Sequence, residues 1–291
     1  MKVDAQVSYL IAIIQQIRTD HPTLNCRAMY YKIQPENIGR DKFEALCFQW
    51  GYSVERLKNY TRTTYSNGVI RFENLIESLI ITGINQVWSS DITYYEVNGR
   101  FYYITFILDN HSRYIVGHSV SSRLITEQTT LAALKTALKA RGSSLPQGII
   151  FHSDGGGQYY DKQFLKVTKR YHFKNSMCEF AYQNGKAERI NGVIKNNYLK
   201  HWSIKTFEDL VKQVDRSVNL YNNEKPHKAL KYQTPLQVEK DAIFEAANKA
   251  EDDAVIERKK SILKGIEPFN IVANKASESS VLPQVSKESK R

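Results

Sequence analysis

The chain has 291 residues and carries 41 Lys and Arg against 30 Asp and Glu, a formal net charge of +11. Such a length gives one large domain or two smaller ones with a real core, and a basic surplus spread along the chain points to a polyanionic partner. Three cysteines far apart in sequence, Cys26, Cys47 and Cys178, fit neither a disulfide framework nor a zinc ligand pair and imply an intracellular compartment; no apolar run is long enough to span a membrane and no leader cleavage site is present.

Val7, Leu10, Ile11, Ile14 and Ile17 recur at helical spacing, which predicts an amphipathic helix over 4–18 ending before Pro22. A second helix is expected over 26–33, broken by Pro35, and a third over 39–49 with Gly51 as its stop. Three short helices with tight turns resemble a helix-turn-helix unit. Arg40, Lys42, Arg56, Lys58 and Arg62 would supply phosphate contacts on or after its last helix. The same pattern also reads as a small bundle with a solvated charged face. Residues 58–81 read as a linker followed by a short lead-in helix.

From Trp88 the character changes. VWSSDITYYEV (87–97), RFYYITFILD (100–109) and RYIVGHSVS (113–121) are strand-like runs, and Asn98-Gly99 between the first two is a two-residue hairpin turn. A helix over 126–140, a strand at 148–152, a helix over 161–171 and a strand near 172–176 follow. Three antiparallel strands and then alternating helices and strands predict a mixed α/β sheet. Helices are expected over 183–200 and 206–224, and the charged tail is expected to lose order after about 270.

Asp154 in HSDGGGQYY ends the fourth strand just before three glycines. Asp91 lies inside the first strand, where a carboxylate is costly unless paired, hydrogen-bonded or metal-bound. In a sheet of this order the two strands lie side by side, and two such charges a few ångströms apart need a divalent cation to stay ionised. Glu188, near the start of the 183–200 helix, shares a face with Asn184, Asn191 and Lys195 and would complete a three-carboxylate site. That set suits two Mg²⁺ or Mn²⁺ ions acting on a phosphodiester, and His/Cys sets suited to zinc are absent. Gln158 would position the substrate backbone, Lys195 would grip a phosphate, and Asn184 and Arg189 flank Glu188 as further DNA contacts. Each acid also has a bland reading: Asp91 as a satisfied edge residue, Glu188 as a solvated helix residue. Asp109, which ends the second strand, is read as a structural carboxylate accepting backbone donors. His152 is read as a strand residue that orients Asp154, and His227 as packing or DNA-binding.

WSSDITYY, FILDNHSRYIVG, HSDGGGQYY, AYQNGKAERINGVIKNNYL and YNNEKPHKALKYQTP together resemble the B-subunit transposases of bacterial insertion sequences, whose core is similar to retroviral integrases. The resemblance covers about residues 26–240. It implies an RNase H-like mixed five-stranded sheet flanked by helices, preceded by the helix-turn-helix-like region, and a metal-binding triad carried over to Asp91, Asp154 and Glu188. Lys195 matches the family's basic residue two turns after the glutamate, which contacts the transposon end. Two features depart from the family: the connection 155–187 is short, and Gly155 stands where a basic or polar residue is common.

The expected organisation is a DNA-binding helical region over 1–65, a linker with lead-in helix over 66–84, the catalytic core with C-terminal helices over 85–245, and a charged, partly disordered tail over 246–291. The resemblance implies transposon-end and target DNA as partners, a homo-oligomer on DNA, an A-subunit partner or fusion, and a bacterial cytoplasmic, nucleoid-associated location. The function expected is cleavage of transposon ends and transfer of the 3′ hydroxyl to target DNA. The alternatives are a purely hydrolytic RNase H-like nuclease or junction resolvase, and an inactive DNA-binding derivative.

Overall fold

A computed structural model describes residues 2–54, 71–142 and 145–265. By its internal contacts the chain divides into two units, Met1–Glu245 and Ala246–Arg291.

The first unit opens with α1 (Lys2–Asp20), α2 (Cys26–Ile33) and α3 (Arg40–Gln49). The i, i+3, i+4 spacing of α1 turns Leu10, Ile14 and Ile17 inward against Met29, Phe43 and Cys47. Asn25 caps α2 by accepting the Ala28 N–H at 2.9 Å. Gln34 ends that helix in the left-handed region, φ 49°, ahead of Pro35. The free thiol of Cys26 donates to the Tyr52 carbonyl oxygen at 3.5 Å, and Cys47 is buried in the same core. The helical triplet is fastened to the rest of its unit by Arg216 on Asp20 at 2.6 Å, Lys32 on Glu224 at 2.9 Å, and the stacked rings of Tyr31 and Tyr232.

Arg56, Lys58 and Arg62, and most of the expected linker, lie outside the described residues. Residues 71–84 hold no lead-in helix but a turn at 75–78. Its backbone is claimed elsewhere: the Leu75 N–H donates to Ser176 Oγ at 2.9 Å, and Asn74 Oδ1 accepts from Ile76 N. Competing local and cross-chain bonds of this kind remove the donors a helix would use.

The sheet has the order β3-β2-β1-β4-β5, built from β1 (Val87–Val97), β2 (Arg100–Asp109), β3 (Ile115–Ser121), β4 (Ile150–Ser153) and β5 (Lys174–Met177). β1, β2 and β3 pair antiparallel, whereas β4 joins β1 and β5 joins β4 in parallel, the mixed five-stranded arrangement of an RNase H-like fold. Asn98 and Gly99 turn the β1–β2 hairpin with φ 51° and 77°, as a two-residue turn with positive φ at both positions requires.

Helices cover both faces. α6 (Gly185–Asn197) and α7 (Phe207–Asn223) lie on one, where Ile190, Ile194, Leu210 and Val214 meet Ile104, Phe106 and Leu108 of β2. α4 (Thr130–Arg141) and α5 (Lys162–Arg170) lie on the other, with Leu131, Leu134 and Phe164 against Trp88, Ile107 and Phe151. The alternation along β2, Phe106 to one side and Ile107 to the other, is the period-2 strand pattern; each buried side chain of this size contributes about 2–3 kcal/mol. Gly117 lets α4 sit close to β3: a Cβ there would clash with the Ala133 carbonyl oxygen.

α8 (Pro235–Gly265) begins with proline in its first turn and a reciprocal cap, Thr234 N–H to Gln237 Oε1 at 2.7 Å and Gln237 N–H to Thr234 Oγ1 at 3.2 Å. The charged segment expected to be a tail is therefore helical as far as Gly265, because its Ala, Glu and Lys content favours helix. The second unit carries that stretch of α8, and residues beyond 265 lie outside the described ones. No helix among the described residues is long and apolar enough to cross a membrane.

Candidate active site

The parallel register of β1 and β4 decides which carboxylates meet. Ser89 lies opposite His152, so Asp91 and Asp154, each two residues further on, stand at the same level on the same face. That face is the one α6 covers. Asn184, just ahead of α6, donates to the Ser90 carbonyl at 2.9 Å, and Asn191 on α6 donates from Nδ2 to Asp91 Oδ2 at 2.7 Å. Glu188, three residues before Asn191, is thereby carried to the same edge.

The electrostatics follow from that placement. Burial, then the charges of Asp154 and Glu188, raise Asp91 to about 7. Its own stabilising contacts are few: the Ile92 N–H at 3.0 Å and the Asn191 amide. Burial also raises Asp154, offset by the Gly156 N–H donating to Oδ1 at 3.1 Å. The charges of Asp154 and Glu188 thus add to the effect of burial at Asp91. Cys178, buried beside the three acids, is pushed up to about 12 by burial and by their charge, so its thiol stays protonated.

The glycine run serves this geometry. A Cβ on Gly156 would lie 3.0 Å from Asp154 Oδ1 and 3.3 Å from Gln158 Oε1, so glycine lets the backbone fold back onto the carboxylate. Tyr159 then enters the core on the opposite face, where its hydroxyl meets Ser90 Oγ at 2.9 Å and ties the segment to β1.

Carboxylate and amide oxygens are hard donors, and they fit Mg²⁺ or Mn²⁺ rather than zinc. Among the described residues, no group of three or more His, Cys, Asp and Glu side chains is close enough to hold a metal ion as it stands. Glu188 is exposed on the first turn of α6, and its charge and that of Asp154 act on Asp91.

The other expected residues divide. Gln158 lies beside Asp154. Lys195 runs along β1, its ammonium 5.4 Å from the centroid of the Tyr94 ring and 3.4 Å from the Tyr94 carbonyl oxygen. Arg189 is exposed, and its charge acts on Tyr221 and His227. Asn184 is corrected: it is 3 % exposed and spends its amide on Ser90, so it positions α6 and is not open to DNA. His152 is corrected as well, since its Nδ1 meets Ser176 Oγ of β5 at 3.0 Å and not Asp154. Arg40 pairs with Asp41 at 2.8 Å, and Lys42 is exposed on α3. Asn191 carries more of the site than its polarity suggested; its three-residue spacing from Glu188 was the available signal. Ser90, Tyr159 and Cys178 had no such signal, because only the fold brings them here.

Comparison with known proteins places these features in a family. Two models described as "Integrase core domain" match residues 82–182 and 172–235. The chain is 27 % identical over 198 residues to the insertion element IS600 uncharacterized 31 kDa protein of Shigella sonnei, covering 66 % of this chain and 72 % of that protein. It is 32 % identical over 182 residues to the transposase for insertion sequence element IS629 of Shigella sonnei, covering 62 % of this chain and 60 % of that one. Among solved structures, the HTLV-2 integrase catalytic core domain in complex with magnesium covers 54 % of this chain and 97 % of its own, at 21 % identity and a TM-score of 0.43. The chain carries an integrase core domain over residues 82–235 and is similar to insertion-sequence transposases.

Proposed function

We propose that the chain cuts the ends of an insertion sequence and joins them to target DNA, with Asp91, Asp154 and Glu188 as the catalytic carboxylates. The observation that carries this reading is Asp91: a strand carboxylate turned toward two other acids and held by neutral donors alone. An arrangement that raises the affinity of an acid for a proton does the same for a divalent cation.

Asp91, Asp154 and Glu188 would hold Mg²⁺ or Mn²⁺, two ions in the full site. When bound, the metal supplies neutralisation of charge on the phosphodiester oxygens and of the attacking hydroxyl. Asn191 keeps the Asp91 carboxylate oriented, the Gly156 N–H does the same for Asp154, and the Tyr159–Ser90 contact holds the glycine run against β1. In the cleavage step water attacks the end phosphodiester, a new P–O bond forms, and the P–O3′ bond breaks to free a 3′ hydroxyl. In the joining step that hydroxyl attacks a target phosphodiester and displaces its 3′ oxygen, with no covalent link to the protein. Gln158 and Lys195 contact the DNA backbone beside the site. The basic surplus of the chain supports DNA as the partner, and Arg40, Lys42, Arg56 and Lys58 of the N-terminal region add phosphate contacts. The working assembly is a homo-oligomer on DNA, joined by an A-subunit partner or fusion, in the bacterial cytoplasm at the nucleoid. The domain limits proposed are 1–65, 66–84, 85–245 and 246–291.

The test is strand joining on a labelled end substrate with Mg²⁺ or Mn²⁺, supplying an A partner where one is encoded. Joined products are expected from the wild type and none from Asp154→Asn or Glu188→Gln. Full activity in either variant would overturn the residue assignment, and cleaved but never joined products would make the enzyme a hydrolase.

A further inference from the structure

α4 and α5 cover the face of the sheet that the carboxylate chemistry does not use, and their charge is one-sided. α4 carries Lys135, Lys139 and Arg141, α5 carries Lys162, Lys166, Lys169 and Arg170, and neither helix holds an Asp or Glu. Arg141 is spent on Glu239, its Nη2 donating to Oε1 at 2.9 Å. The other cations of the two helices form no ion pair among the described residues. On the opposite face of the sheet α7 mixes its signs, with Glu208, Asp209 and Asp215 interspersed among Lys212 and Arg216.

An open groove of about 430 Å³ runs between the two helices, lined by Lys135 and Lys139 from α4 and by Val167, Arg170 and Tyr171 from α5 and its end. Lys135 and Lys139, four residues apart, share one face of α4 about 6 Å apart along its axis, and Lys166 and Arg170 repeat that spacing on α5. All four side chains are exposed. The Arg170 guanidinium lies over the Tyr171 ring, 6.0 Å from its centroid. Glu127, ahead of α4, is engaged by Gln163 Nε2 at 2.6 Å near the start of α5, away from the groove. Cations in the last turn of a helix answer its macrodipole, which accounts for Lys139, Lys169 and Arg170. It does not account for Lys135 in mid-helix, for Lys166, or for Lys162, which opens α5 where the dipole disfavours positive charge. Like charges at four-residue spacing repel each other, so an anion between the rows relieves them.

We propose that the groove between α4 and α5, with its cationic rim, binds the phosphate backbone of duplex DNA as a second track separate from the carboxylates. Two lysines about 6 Å apart along a helix axis match two phosphate steps of one strand, about 3.4 Å each. Side chains of this kind contact phosphates and read no base, so the binding is independent of sequence. The groove lies on the α4–α5 face, whereas Asp91 and Asp154 lie on the α6 face, so the DNA held here is a stretch away from the bond being cut. The inference rests on the reading of the chain as a DNA-joining enzyme.

The experiment is fluorescence anisotropy of the full chain with a labelled end duplex and a scrambled duplex across a salt series without divalent metal, followed by strand joining at saturating protein. The double variants Lys135→Gln/Lys139→Gln and Lys166→Gln/Arg170→Gln place a good helix former at exposed positions, so the fold is kept. Each is expected to weaken binding of both duplexes by about 5- to 30-fold and to lower the slope of log Kd against log salt by about two. Joining at saturation should stay at the wild-type level, since neither variant touches the carboxylates. The charge-keeping Lys135→Arg/Lys139→Arg should bind as wild type, as should Lys212→Gln, whose own groove on α7 also holds Glu208 and Asp215. Unchanged affinity and slope in either double variant, with the wild type binding normally, would overturn the second track alone. Joining lost at saturation with affinity intact would overturn it too, by making the residues part of the cutting site. A wild type that binds neither duplex would overturn the reading on which it rests.

Discussion

Asp91 and Asp109 sit on neighbouring strands of one sheet, and burial raises both carboxyls, yet they are built for opposite ends. Asp109 is fully buried, and its oxygens accept from the N–H groups of Asn85, His111 and Ser112 and from the Ser112 hydroxyl, between 2.5 and 3.2 Å. The β2–β3 turn is folded around it. Asp91 has one backbone N–H and one amide, and it faces two further acids. A carboxylate whose acceptor capacity is consumed by its own chain stabilises the fold. One left with free capacity among like charges stores repulsion that a cation can relieve.

Four measurements would break or sharpen that contrast. The largest effect is expected from Asp154→Asn, which should lower strand joining by about 10³-fold or more while leaving duplex binding intact, measured on the labelled end substrate. Next comes Asp109→Asn. An amide nitrogen among N–H donors leaves buried groups unsatisfied, and the chain should lose about 2–4 kcal/mol, seen as a fall in Tm of about 5–10 °C. If Asp109→Asn were as stable as wild type, the structural role of that carboxylate would be lost. Asn191→Ala should cut joining about 10- to 100-fold with no change in DNA affinity, since it removes an orienting bond and no phosphate contact. Equal losses in joining and in affinity would place Asn191 on the DNA instead.

The smallest effect concerns pH. Asp91 is near 7 when folded against about 3.9 unfolded, so the folded state holds this proton more tightly. Its contribution is fully present below about pH 4 and is lost as pH rises through about 7. Metal-free protein should therefore lose stability over that interval because of this group. Asp91→Asn should flatten the dependence and gain about 1–2 kcal/mol at neutral pH, read from Tm across a pH series. An unchanged slope would mean that Asp91 is not under the strain described.

Much of this was legible from residue patterns. The alternation in RFYYITFILD and the Asn98-Gly99 turn specify the hairpin almost to the residue, because both signals are local. The first helices read equally well, since Leu10, Ile14 and Ile17 share one face of a single period. The turn at 75–78 was not legible, for its backbone bonds run to Ser176, about a hundred residues away in sequence. Asn184 looked like a surface amide beside a catalytic glutamate; the Ser90 carbonyl that claims it belongs to another element. His152 follows the same logic, because parallel pairing with β5 brings Ser176 to it.

By itself, the sequence determined the residue types and the elements that carry them: two strand aspartates, a helix glutamate, glycines after Asp154, and a basic surplus without an apolar span. Those properties are local, set by side-chain chemistry, period and turn geometry. The tertiary structure decided the rest. The level of Asp91 with Asp154 comes from β1–β4 register, and the grip of Asn191 on Asp91 comes from where α6 lies. Contacts between residues far apart in sequence are fixed by how the sheet pairs and the helices pack, and no local pattern encodes them.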